Sequence, residues 1–510
     1  RVGAKPLAAA LGGALFAVHP VHVEAVSNLV GRAEVLAALL VFCAGLLHLS
    51  RRFPAWARAA GVGALYLLAL GAKEIALALP VLLLLLDALR DAPGRVSIGK
   101  TVRESWMMAV STAVALAAFL LLRREAIGSA VGAEPAPYLA GLSTTERWAA
   151  AVGTWPEYLR LLFFPARLSA EWGPDLLPVS GWGDARTWLG LAMGIAVLGA
   201  AAWAWSRERW VSVAILWFAF AVFPISNLPF GAGALVTERS LYLPSAALAF
   251  LAPPLLALAM RARADTRKAA ALAAAAVLAL GAARTWTRTP TWESTDTVFL
   301  AMAEESPELW MVQWRLAKLL AAAGRTEESL AWYAKAQPKV RFNHTAMSAE
   351  QADLLVGVGR AAEAEALLAP RLRASGDVPG LHVVLARARF DQGRFAEALA
   401  SARTARRLVR YDESWRADAL HVEALSLDAL GRAGEALPLA REGARSAGAR
   451  ARRPARWLHA ARLLRLAGDS AGAAAALDSA RALAPGVLDR LTPATIPGPT
   501  HGLLRAWERK

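Results

Sequence analysis

A chain of 510 residues that is 56% hydrophobic, with 57 Lys+Arg against 41 Asp+Glu, is too long and too apolar to be one soluble globular domain. Its net charge of +16 would suit nucleic acid, but the basic residues of the first half sit in short connections between apolar runs. There they set membrane orientation, so no nucleic-acid partner is expected. A single cysteine, Cys43, excludes a disulfide framework or a cysteine-based metal site within one chain.

Apolar runs dominate to about residue 285, and the remainder is charged and rich in Ala, Leu and Arg at helical period. The pattern predicts an all-α protein. It has a multi-pass transmembrane domain over 1–290, a connecting segment at 291–306, about five helix-pair repeats over 307–486 and a tail at 487–510. A crossing helix takes roughly 20 apolar residues. Nine candidates follow at 6–19, 33–49, 57–73, 75–90, 106–122, 187–205, 210–226, 240–260 and 268–284. Basic clusters at Arg1/Lys5, Arg51/Arg52/Arg58, Arg90/Arg95/Lys100/Arg103, Arg207/Arg209 and Arg261/Arg263/Arg267/Lys268 fall at every second connection, as cytoplasmic loops should.

Residues 148–164, "WAAAVGTWPEYLRLLFF", are apolar enough to cross, but a crossing there would reverse every later connection. They are expected to lie as an interfacial helix, with Trp148, Trp155, Tyr158 and Arg160 at the boundary. This parity places the C-terminal half outside the cytoplasm. The preference for Ala and for Arg over Lys reads as a GC-rich bacterial genome, hence an inner membrane with periplasmic repeats; a eukaryotic source would imply an endoplasmic-reticulum membrane with lumenal repeats. Without an initiator Met or a signal-peptide layout, the chain is expected to be a fragment lacking its N-terminus.

Against this apolar background "HPVHVEAVSNLVGRAE" stands out. His19, His22 and Glu24 close the first span, and Arg32 and Glu34 open the second. Lys73 and Glu74 lie between the third and fourth. Glu238, Arg239 and Tyr242 open a later span after "FPISNLPFGAGAL". Solvation is the plainer reading of any one boundary charge. Clustering at the ends of several spans argues instead for a mixed acid–base pocket on the outer face, because ionisable groups near hydrocarbon are costly and often line a substrate path.

In such a pocket Arg32, Lys73 and Arg239 would bind a phosphate through charge-assisted hydrogen bonds. Glu24 would orient an acceptor hydroxyl or a metal, and His19 and His22 would donate to phosphate or sugar oxygens. Glu34, Glu74, Glu238 and Tyr242 would shape the pocket. Zinc is not indicated, because Pro20 interrupts the local helix and the His-Glu-x-x-His order is absent; nor is any other divalent metal. "GAGAL", Gly231–Leu235, lacks the lysine and strand context of a phosphate loop.

Beyond Pro307 a turn signal recurs: "AAGRTEES", "GVGRAAEA", "DQGRFAEA", "ALGRAGEA" and "LAGDSAGA", with glycines 324, 359, 393, 431 and 468 spaced 34 to 38 residues apart. That is the tetratricopeptide period. Each glycine should end a helix at positive φ, and the stacked pairs should bind a peptide or protein segment on their concave face. His344, His382, His421 and His459 lack metal spacing and read as surface or packing residues.

"FAVHPVHVEAVSNLVGRAEVLAALL", "GAKEIALALPVLLL", "LRLLFFPARLSAEW", "FPISNLPFGAGALVTERSLYLPS" and "RTWTRTPTWESTDTVFLAMAEESPELW", followed by the repeats, resemble in order the landmarks of the transmembrane and tetratricopeptide-repeat O-mannosyltransferases. That family is similar to the glycosyltransferase-C superfamily. The resemblance implies a glycosyltransferase-C-like membrane domain that moves a sugar, with inversion, from a polyprenyl-phosphate mannose-like donor to a Ser/Thr or other hydroxyl on the outer side, the repeats holding the acceptor or a partner. His19, His22, Glu24, Arg32 and Glu34 match one outer-loop motif, and Glu238, Arg239, Tyr242 and Pro244 match a later one. The resemblance further implies that the acidic pair supplying the general base lies upstream of Arg1. The alternative is a non-catalytic membrane scaffold that recruits partners through its repeats. A transporter fits less well, since the polar residues gather at one face and not at the midplane.

Overall fold

A computed structural model describes residues 2–50, 52–90, 106–128, 139, 141–173, 176–340, 344–409, 412–446 and 453–484. The expected tail at 487–510 and the basic residues Arg51, Arg95, Lys100 and Arg103 fall outside the described residues, as does the side chain of His344. The described residues form helices and no strand, in two units, Arg1–Leu309 and Trp310–Lys510.

In the first unit the helices are α1 Pro6–Ala17, α2 His22–Ser27, α3 Arg32–His48, α4 Ala55–Ala72, α5 Leu79–Arg90, α6 Trp106–Ile127, α7 Thr144–Gly153, α8 Trp155–Phe163, α9 Ala185–Trp205, α10 Arg209–Val222, α11 Ala247–Arg261, α12 Ala264–Arg288 and α13 Thr295–Glu305. Among the described residues five helical stretches are long and apolar enough to cross a membrane: Ala55–Ala72, Trp106–Ala126, Ala185–Trp205, Arg239–Arg261 and Ala264–Trp292. The other four expected spans are shorter as regular helix. Pro6–Ala17 and Arg209–Ile225 are apolar but fall below that length, and α3 has 17 residues. The fourth span enters through a 3-10 turn, Glu74–Ala78, before α5. Pro80 explains that break, because a residue without an N–H is accommodated only in a helix's first turn.

The segment expected at 148–164 is two short helices, α7 and α8, meeting at Thr154. A capping box opens α7: Ser143 Oγ accepts from Glu146 N–H, and the Glu146 carboxylate accepts from Ser143 N–H at 2.8 Å. Ala37, Val41, Tyr66, Leu70, Leu82 and Trp217 pack one core between α3, α4, α5 and α10. Leu121, Leu122, Leu258, Leu272 and Leu280 project outward from α6, α11 and α12, the surface that lipid suits and water does not.

Described by itself, the second unit contains five helix pairs among the described residues: Trp310–Ala322 with Thr326–Ala336, His344–Gly357 with Ala361–Ala374, Pro379–Asp391 with Phe395–Leu408, Glu413–Ala429 with Ala433–Arg445, and Arg453–Leu466 with Ser470–Leu483. Gly324, Gly359, Gly393, Gly431 and Gly468 sit between partners at φ of +74° to +84°, the left-handed region a side chain resists. The next amide returns to the carbonyl five residues back, for instance Arg325 N–H to Leu320 and Arg432 N–H to Leu427, closing each first helix in a Schellman motif. The Gly-Arg-x-x-Glu signature has a second cause. Arg325, Arg360, Arg394 and Arg432 each fork onto the glutamate three residues on, with N–O distances of 2.5 to 2.8 Å. In the fifth pair Asp469 instead accepts from Gly472 N–H at 2.7 Å.

Neighbouring pairs are bridged inside the stack by Asp353–Arg387 and by Asp418–Arg456, the latter at 2.5 Å. Asp428 joins both Arg462 and His459. His421 and His459 are buried with rings 5.7 Å apart, and His382 Nε2 donates to the Gly376 carbonyl at 2.8 Å.

Candidate functional site

The loop after α1 is folded tightly on itself. A Cβ on Gly31 would stand 2.6 Å from the Glu24 carbonyl oxygen and 2.9 Å from Ala25 Cα, so a glycine is required where the chain returns into α3. This packing faces Glu24 inward, with 1% of its surface exposed. One carboxylate oxygen accepts from Arg239 Nη1 at 2.5 Å, and the other accepts the Arg239 backbone N–H at 2.9 Å. The second bond caps a 3-10 turn, Arg239–Leu241, whose first amide would otherwise be orphaned. Burial pushes the Glu24 carboxyl above its ordinary range, while the Arg239 charge and these hydrogen bonds pull the other way.

Both histidines of the loop are committed to protein partners. His19 Nε2 donates to the Leu162 carbonyl at 2.9 Å, tying the loop to α8, and its Nδ1 accepts from Val21 N–H at 3.4 Å. Ser245 Oγ donates to the Tyr242 carbonyl at 2.8 Å and therefore accepts from His22 Nε2 at 2.7 Å. The His22 ring lies 4.5 Å from both Phe16 and Tyr242. Burial, helped by His19, pushes His22 down to about 3, so it is neutral at physiological pH. Neither Nε2 proton faces a free acceptor; the two rings position the loop.

Arg239 also lines a cavity of about 290 Å³ with Lys73 and Arg123. Its walls include Ile75, Leu77, Phe119, Leu120 and the loop Phe230–Ala234, with Glu74 at the edge accepting from Arg123 at 2.5 Å. Lys73 Nζ stands 3.6 Å from Glu34, a buried carboxylate with no hydrogen bond to either oxygen. The "GAGAL" wall is held by side chains. Asn227, at φ +61°, accepts from Ala232 N–H and donates to the Ala234 carbonyl, at 2.7 and 2.9 Å. From α7, Arg147 donates to Asn227 O at 2.6 Å and Trp148 to Leu228 O at 3.0 Å. Tyr158 on α8 donates to Leu235 O at 3.3 Å.

Lys73, Glu74 and Arg239 thus meet at one cavity, with Glu24, Glu34, His22 and Tyr242 behind it. Arg32 does not join them: it is exposed on the first turn of α3 and does not line the cavity. Positions two apart on a helix diverge by about 200°, so turning Glu34 inward turns Arg32 out. Arg123 takes the third basic place. It lies in the last turns of α6, where a basic residue reads as an ordinary helix-end charge. Glu171 was also not among the expected residues. Burial pushes it up to about 7, with Arg239 opposing and Glu24 reinforcing. Glu238 is fully buried; one oxygen accepts the Ser169 N–H at 2.5 Å, and burial pushes its carboxyl up to about 8, so it is protonated at neutral pH. Among the described residues no three His, Cys, Asp or Glu side chains are grouped to hold a metal ion.

Chemically, the cavity offers three cations beside apolar walls. Each cation already touches a carboxylate, but the Arg239 contacts with Glu24 use only one guanidinium nitrogen, and Lys73 is loosely paired and partly exposed. Donors therefore remain for an anionic oxygen.

Fold and site together define an all-α protein with a membrane-type helical unit, a basic cavity at its helix ends and a tetratricopeptide-like solenoid unit. No family model matches the chain. It is similar to the protein O-mannosyl-transferase Tmtc2 of Drosophila melanogaster, at 30% identity over 183 residues, which is 32% of this chain and 18% of that protein. The chain thus covers less than a fifth of that relative's length. Among solved structures it is similar to yeast Tom70, at 12% identity and a TM-score of 0.33, covering 91% of this chain and 87% of that one. It is also similar to the Cut9–Hcn1 hetero-tetramer of APC/C, at 13% and 0.34 over 94% and 90%. YrrB, described as a TPR protein with an unusual peptide-binding site, matches at 21% and 0.26 over 37% of this chain and 93% of its own.

Proposed function

We propose that this protein is an integral-membrane glycosyltransferase that moves a sugar, mannose by its resemblance, from a polyprenyl-phosphate carrier to a hydroxyl of a protein acceptor. The convergence of Lys73, Arg123 and Arg239 on one cavity with apolar walls carries this reading. A lipid-linked phosphate has the same two-sided chemistry, an anion attached to a hydrocarbon chain. In transfer, the acceptor hydroxyl gives its proton to a general base and its oxygen bonds to the sugar's anomeric carbon as the bond from that carbon to the phosphate oxygen breaks. Charge then builds on the departing phosphate, and fixed cations stabilise it. Glu24 holds Arg239 at both its guanidinium and its backbone, so it acts on the phosphate through that arginine. The reading places the cavity and the repeats on the outer side of the membrane, periplasmic in a bacterium, with the solenoid presenting the acceptor or a partner.

A second reading rests on the same pair. Because Arg239 is already bonded to Glu24, the cluster also fits a structural clasp in a repeat-bearing membrane scaffold. Transfer of labelled mannose from polyprenyl-phosphate mannose to Ser/Thr peptides separates the two. Glycosyl transfer lost in Arg239→Ala and Glu24→Gln, with both variants folded, supports the transferase. Unchanged transfer in both variants removes this site assignment.

A further inference from the structure

A second cavity, of about 340 Å³, lies against the same helices and plays no part in the reading above. It is lined by Tyr66 of α4, by Leu84 and Asp87 of α5 and by Thr112 and Ala113 of α6, with His48 at the end of α3. Most of its wall is apolar, and Leu84 and Ala113 are exposed on the lipid-facing surface, so it opens sideways toward the bilayer. Its polar groups are few and fixed. His48 Nε2 donates to Asp87 Oδ2 at 2.9 Å, which leaves Nδ1 buried without a hydrogen-bond partner on a side chain only 6% exposed. The other Asp87 oxygen stands 3.7 Å from Arg90 Nη1, outside hydrogen-bond range. Thr112 is satisfied by backbone carbonyls of its own helix.

The cavity therefore presents one oxygen of Asp87 that no hydrogen bond fills, in an apolar slot where a carboxylate is costly unless a ligand supplies donors. Cations flank it. Arg58 donates Nη1 to the His48 carbonyl at 2.9 Å while its Nε is buried and unpaired, and Arg90 stands beside Asp87. A carboxylate for an ammonium beside cations for a phosphate, at the ends of α3 and α5 and the start of α4, matches one class of molecule. We infer that this cavity binds a phospholipid with a primary-amine headgroup, of the phosphatidylethanolamine type. Its ammonium donates to Asp87, its phosphate lies against Arg58 and Arg90, and its acyl chain runs along α6. The tail of a polyprenyl carrier would fill the apolar wall but bring no donor, and a choline headgroup has no N–H.

The test is native mass spectrometry of the full chain released from micelles containing equal phosphatidylethanolamine and phosphatidylcholine of identical acyl chains. Retention of the ethanolamine lipid over the choline lipid by about tenfold is expected, as for a hydrogen bond to a charged group. Asp87→Asn should erase that preference. Ala113→Leu, which intrudes on the slot without touching its polar groups, should lower retention of the ethanolamine lipid and guards against misfolding of the first variant. Equal retention of the two lipids overturns the inference, as does an unchanged preference in a folded Asp87→Asn protein or unchanged retention of the ethanolamine lipid by a folded Ala113→Leu protein. Displacement of the ethanolamine lipid by an uncharged polyprenol would also overturn it and assign the slot to a carrier tail.

Discussion

Glu238 makes the stability of the first unit depend on pH in a direction opposite to that of most carboxylates. It is fully buried, accepts the Ser169 N–H, and has its carboxyl pushed up to about 8 by burial. In the unfolded chain it titrates near the ordinary value of about 4.3. Between those two values the folded state holds a proton that the unfolded state has released, so raising the pH favours unfolding. The slope is about 1.4 kcal/mol per pH unit, on the order of 3–4 kcal/mol from pH 5 to 8, with no further loss above the folded value. Glu238→Gln imitates the protonated acid and should remove this slope, unfolding alongside the unaltered protein at pH 5 and at clearly higher temperature at pH 9. Thermal unfolding of the detergent-solubilised chain across that range checks it. Glu171, pushed up to about 7, adds a slope of the same sign, but it is common to both proteins and drops out of the comparison. Parallel curves for the two proteins, or a variant less stable at high pH, would refute the assignment of a protonated Glu238.

Three further outcomes follow from named contacts. Asp418→Ala strands the buried Arg456 guanidinium and should cost about 3–5 kcal/mol in chemical unfolding, a loss that adding Arg456→Met should partly restore. Gly431→Ala places a side chain at φ +75° and should cost about 1–2 kcal/mol in the same assay. Gly31→Ala forces its new Cβ against the Glu24 carbonyl and should weaken binding of a polyprenyl phosphate, read by ligand titration, through displacement of the Glu24–Arg239 clasp.

The repeats were legible because one residue type has one job there: a glycine every 34 to 38 residues, followed by Arg-x-x-Glu, encodes both the left-handed turn and the fork that follows it. The polar cluster was legible for a different reason. Glu24, Lys73 and Arg239 stand at helix ends in a chain otherwise suited to lipid, where charge is conspicuous. Direction was not legible. Arg32 and Glu34 are two positions apart, and only the packing of Gly31 on Glu24 decides which of them faces inward. Arg123 was hidden by its place in the last turns of a spanning helix, and Glu171 by a loop without periodicity. The 3-10 turn at Glu74–Ala78 was not legible either, because hydropathy does not register hydrogen-bond pattern.

Binding of a polyprenyl phosphate to the purified chain, compared with the uncharged polyprenol of equal length, tests the central claim most directly, since it asks for recognition alone. A basic cavity for a lipid-linked phosphate predicts that the phosphate binds and the alcohol does not, and that Arg123→Ala and Arg239→Ala each weaken binding by about ten- to a hundredfold. Equal binding of phosphate and alcohol, or variants that bind as the unaltered protein does, would contradict it.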